Sequence, residues 1–78
     1  MPKLQVLSID GSNKDIEAED VTKAAREVIG PTVRVTVKDN RLVMLVQKKA
    51  GLPVNPLASN IAGRMITGEA ILCERRFL

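Results

Sequence analysis

The stretch "TVRVTVKDNRLVMLVQ", residues 32 to 47, constrains the fold more than any other part of the chain. Two runs rich in β-branched and aliphatic residues flank Asp39-Asn40, a pair suited to a two-residue hairpin turn. That turn fixes a register. Lys38 faces Arg41, Val37 faces Leu42, Val35 faces Met44 and Val33 faces Val46, so the set Val33, Val35, Val37 meets only apolar residues. On the other face Thr36 lies opposite Val43 and Arg34 opposite Leu45, so the second strand is apolar on both sides. Such a strand needs cover on both faces. Helices of the same chain or another subunit must supply it, and Val43 and Leu45 are the candidate interface residues.

The rest of the chain supplies partners for this hairpin. "KLQVLSID" is apolar enough to form a buried first strand and ends at Asp10-Gly11-Ser12-Asn13, a turn by its own chemistry. Ala18, Val21, Ala24, Ala25, Val28 and Ile29 recur at helical spacing, Glu19 and Asp20 fall in the predicted first turn, and Gly30-Pro31 stops the helix. Asn55-Pro56 starts a short second helix, "PLASNIA", which ends at Gly63. Gly68 marks a turn or bulge, and a last strand centres on residues 70–73. The expectation is a single α+β domain over residues 1–78, with an antiparallel sheet and two helices in the order β-α-β-β-α-β. That is the order of a split βαβ, ferredoxin-like sandwich with its helices on one face.

Composition narrows the chemistry. The chain has no His, Tyr or Trp, one aromatic (Phe77) and one cysteine (Cys73). No histidine can act as base or metal ligand, no internal disulfide can form, and base-stacking platforms are missing. Ser8, Ser12 and Ser59 therefore have no imidazole to activate them, and a carboxylate pair such as Glu69/Glu74 is weighed for acid/base work against the commoner reading of exposed carboxylates as solvated charges. The expectation is a protein that is not an enzyme, with no cofactor and no metal. No segment has the length of apolar sequence that a membrane helix or signal peptide needs, which predicts a cytoplasmic chain with no membrane partner. At 78 residues the core is small, and self-association into a homo-oligomer is a further expectation.

Charge is uneven along the sequence. Residues 1–29 hold four Lys/Arg against six Asp/Glu, and residues 30–78 hold eight against three. An anionic partner belongs with the second part. There "KKAGLPVNPLASNIAGR", residues 48–64, combines Lys48 and Lys49 with a loop shaped by Gly51 and Pro53, a helix start at Asn55, and Arg64 beyond the helix. Lysines near free helix N–H groups suit phosphate or carboxylate, so Lys48, Lys49, Asn55 and Arg64 are the candidate ligand-binding residues for a nucleotide-like anion. Two other readings carry different partners. A protein inhibitor would bind a host protein through the Val43/Leu45 face or a free strand edge. A DNA-binding accessory protein would use Arg34, Lys38 and Arg41, although nucleic acid is the weaker fit for a chain without aromatic platforms.

The segments "EDVTKAAREVIG", "GLPVNPLASNIAG" and "ITGEAILC" together resemble the small bacteriophage and prophage proteins of domain-of-unknown-function family 3846. The shared features are a helix ending in Val28-Ile29-Gly30, a hairpin, the element Gly51-Leu52-Pro53-Val54-Asn55, and a closing Ile66-Thr67-Gly68. The "ERRFL" tail is no part of that pattern. The resemblance implies a phage accessory protein in the host cytoplasm, acting by stoichiometric binding and countering host defence. That step from setting to action is analogy.

Overall fold

In the computed structural model, which describes residues 2–78, Val43, Met44, Leu45 and Val46 are all buried. Four consecutive buried residues in a strand require a layer on each side of the sheet. The elements that provide those layers are strands β1 (Lys3–Leu7) and β2 (Asn13–Glu17), helix α1 (Val21–Ile29), strands β3 (Thr32–Thr36) and β4 (Leu42–Gln47), helix α2 (Pro56–Ala62) and strand β5 (Ala70–Glu74). A short 3-10 turn, Arg75–Phe77, follows. The five strands form one sheet in the order β2-β1-β5-β4-β3, and every neighbouring pair is antiparallel.

This is a small α+β fold with two helices in the order β-α-β-β-α-β, to which β2 adds a fifth strand between β1 and α1. The wiring differs from a split βαβ sandwich in two ways. No parallel pair occurs among the described strands, and the helices lie on opposite faces. Val21, Ala25 and Ile29 of α1 pack with Leu4, Val6, Val43, Leu45 and Ile71, whereas Ala58 and Ala62 of α2 pack with Leu7, Met44, Val46 and Ala70. The alternation along β1 and β4 sorts these residues between the two layers. Helices on one face alone would have left half of β4 in water.

The predicted hairpin register holds, with Val33 opposite Val46, Arg34 opposite Leu45, Val35 opposite Met44 and Thr36 opposite Val43. The turn is wider than two residues. The Leu42 N–H donates to the Asp39 carbonyl at 3.0 Å, and the β3–β4 ladder stops at Thr36 opposite Val43. Helix α1 is also shorter than its spacing suggested. Asp20 is its N-cap, accepting from the Lys23 N–H at 3.1 Å, so Glu19 and Asp20 precede the first turn. Val43 and Leu45, expected as an interface, are 5% and 3% exposed beneath α1. The chain covers that face itself, and neither residue is available to a partner.

Candidate functional site

The loop between β4 and α2 begins with Lys48, whose N–H donates to the Pro31 carbonyl at 2.9 Å. Lys48 and Lys49 are exposed and no carboxylate lies within ion-pair distance of either among the described residues. Gly51 turns the chain at φ 79°, in open space. From Pro53 onward the loop is strapped to the segment before β5. The Gly68 N–H donates to the Pro53 carbonyl at 2.8 Å, Val54 bridges Thr67, and the Asn55 N–H donates to the Ile66 carbonyl at 2.7 Å. The Gly-Leu-Pro-x-Asn and Ile-x-Gly elements are thus the two halves of one pairing.

Asn55 holds that pairing to the sheet. It is fully buried, its Nδ2 donates to the carbonyls of Leu7 and Gly68 at 2.9 Å each, and its Oδ1 accepts from the Ala58 N–H at 3.0 Å. Both amide hydrogens are used, which leaves nothing to offer a ligand. Of the first-turn donors expected to face an anion, Ala58 bonds to Asn55 Oδ1 and Ser59 to the Asn55 carbonyl. Asn55 is therefore a structural residue, and the seven-residue α2 presents no anion site at its start. Arg64 is exposed beyond the C-cap Gly63, separated from Asn55 by the length of α2, about 10 Å. The four predicted ligand residues do not converge.

Nor do the residues considered for catalysis. Ser12 Oγ is bonded to Asp10 at 2.6 Å in a local turn, which holds the Asp10 carboxyl below its usual range. Ser59 Oγ is fixed between the N–H and the carbonyl of Ile66. Glu69 and Glu74 flank β5 at its two ends, roughly 16 Å apart at strand rise, too far to share a proton. Cys73 is buried, and burial pushes its thiol pKa up, opposed in part by the Arg34 charge. That is the setting of an inert thiol. No group of three or more metal-ligating side chains occurs among the described residues.

A different set does converge. The turn Asp39–Leu42 and the segment Glu74–Arg76 enclose an open groove of about 890 Å³. The β4–β5 ladder places them together, with Leu42 opposite Glu74, and the Arg75 N–H donates to the Arg41 carbonyl at 2.8 Å. Arg41 holds Asp39 in a fork, Nε to Oδ1 at 3.2 Å and Nη2 to Oδ2 at 3.0 Å, which lowers the Asp39 pKa and raises that of Arg41. Arg76 pairs with Glu74 at 2.6 Å, and its guanidinium carbon sits 4.7 Å from the Phe77 ring centre. Arg75 is tethered by Nε to the Asn40 carbonyl at 2.8 Å, and among the described residues no carboxylate lies within ion-pair distance of it. A guanidinium held by its Nε keeps its terminal N–H groups for a second partner.

Sequence reasoning set the "ERRFL" tail aside and saw Arg41 only as a possible DNA contact. The signal was present in the hairpin: once the last strand pairs with β4, its basic end must meet the Asp39-Asn40 turn. No protein-family model, no curated protein and no solved structure matches this chain. The resemblance to the phage family rests on the quoted motifs alone.

Proposed function

We propose that the protein acts by stoichiometric binding of an anionic partner, without chemistry of its own, and that the binding surface is the groove of Arg41, Arg75 and Arg76. The observation that carries this reading is Arg75, positioned by a backbone carbonyl yet with no carboxylate partner among the described residues, between two arginines that are already oriented by their own acids. Guanidinium groups fixed in this way bind phosphate or carboxylate in a fork with little ordering left to do. A groove of about 890 Å³ is within the size range of small-molecule sites, the class to which nucleotide sites belong. The phage setting, and interference with a host defence signal, follow from the family resemblance by analogy and belong to the same proposal.

Titration calorimetry with ATP and with inorganic pyrophosphate tests it. Binding is expected to weaken as salt rises and to fall about tenfold or more in Arg75→Ala, with Lys48→Ala/Lys49→Ala unchanged. Binding that survives Arg75→Ala/Arg76→Ala, or no binding of either probe at low salt, overturns the groove as the site.

A further inference from the structure

The two edges of the sheet are built differently. Along β2 every residue except Ile16 is charged or polar, with Lys14, Asp15 and Glu17 exposed, a composition that discourages another strand from docking. Along β3 the sequence is Thr-Val-Arg-Val-Thr, with no proline, glycine or bulge, and Val33 is 42% exposed. The ladder assigns the free groups. Lys48 N–H donates to the Pro31 carbonyl, so in this antiparallel pair Pro31, Val33 and Val35 turn their backbone groups toward β4. Thr32, Arg34 and Thr36 turn theirs outward, and Arg34 has no carboxylate partner among the described residues.

We propose that the outer edge of β3 receives an extended acidic segment of a partner protein, added antiparallel as a sixth strand with a carboxylate opposite Arg34. Main-chain bonds to Thr32, Arg34 and Thr36 supply the pairing, the Arg34 charge selects the acid, and the exposed Val33 and its neighbour Val35 face apolar residues on the other side.

Charge is what separates this occupant from a second copy. Two β3 strands in full antiparallel register set Arg34 against Arg34, like charges directly opposed. Sliding the copy by two residues relieves the clash but leaves Thr32 or Thr36 unpaired within the strands and runs into Pro31 or the Val37–Asp39 turn. Pairing β3 with the acidic β2 edge of a copy satisfies Arg34, yet it is head-to-tail and leaves a free edge at each end, an assembly with no closed endpoint. A separate acidic strand meets the same groups and stops there.

The proposal is independent of the arginine groove, and the test uses Arg75→Ala/Arg76→Ala protein so that the two readings fail separately. The probe is the end-blocked peptide Ser-Thr-Val-Glu-Val-Thr-Ser, followed by amide hydrogen exchange and chemical shift. Slower exchange is expected at the Thr32, Arg34 and Thr36 N–H groups, with Val33 and Val35 unchanged because they are already bonded to β4. Arg34→Glu should weaken the peptide about tenfold, and a peptide with Lys in place of Glu should recover binding to that variant. Loss of binding on N-methylation of the peptide, with the protein unaltered, confirms main-chain pairing. Three outcomes overturn the proposal: no change at the outward amides, affinity indifferent to the sign of the charge, or the same amides protected without peptide in a concentration-dependent oligomer.

Discussion

Asn55 shows how a single side chain can carry both a loop and a helix. Its Oδ1 caps α2 while its two amide hydrogens satisfy carbonyls of Leu7 and Gly68, one in β1 and one in the segment before β5. Asn55→Ala removes the cap and strands both buried carbonyls, a loss of about 3 kcal/mol. Asn55→Ser keeps a capping oxygen and is expected to recover about 1 kcal/mol of that, which separates the cap from the carbonyl bonds. Urea denaturation of the two variants reads the difference directly, and equal midpoints for Asn55→Ala and wild type would show that the amide is spent on nothing essential. The cap was legible in Asn55-Pro56, because local sequence dictates it. The carbonyl bonds were not, since they join residues 48 and 13 positions apart. Gln47 was overlooked for the same reason: its amide links the Ile29 carbonyl at 2.9 Å to the Glu69 N–H at 2.8 Å.

Among the elements, β4 was read well and β2 not at all. Five pairs of facing residues across a turn define β3–β4 so tightly that the register survives a change in the turn itself. Strand β2, "NKDIE", has one apolar residue and no alternation to detect, and it exists because β1 offers an edge with which Ile16 can reach Leu4. Helix α1 looked longer in sequence because Ala18 fits the helical spacing and Glu19 and Asp20 suit a first turn, whereas Asp20 is the N-cap. The burial of β4 under both helices leads to a definite expectation for Leu45→Lys. The ammonium would lie beneath α1 among Val43, Ala25 and Ile71, with a penalty of about 4 kcal/mol or more, comparable to the whole stability of a chain this size. Circular dichroism should report an unfolded or strongly destabilised protein. A folded Leu45→Lys protein with altered association would restore the view that this face meets a partner.

For the molecule as a whole, β5 decides whether the parts assemble. The pairs β1–β2 and β3–β4 are local, and β5 is the strand that joins them, pairing Gln5–Leu7 on one side and Leu42–Val46 on the other. It is the last of the five strands in sequence yet the central one in the sheet, so neither hairpin gains its central neighbour until β5 is in place, and unfolding of β5 should be unfolding of everything. Cys73 reports this. Its thiol sits in β5, buried against the Val43 carbonyl at 3.7 Å, and reaches reagent only when the sheet opens. Labelling by a thiol reagent should therefore be slow in buffer and should accelerate with urea at the same slope as global unfolding. Rapid labelling without denaturant would mean that β5 opens alone and does not bind the sheet together. The same group makes stability depend on pH. Burial raises its pKa in the fold, so below the unfolded thiol value, about 8.5, both states hold the proton and its contribution is complete. As pH climbs through that value the unfolded chain releases a proton that the native chain keeps, and stability declines toward the folded pKa. Urea midpoints at neutral and alkaline pH should diverge more for wild type than for Cys73→Ala; equal divergence would place the alkaline loss on the lysines instead.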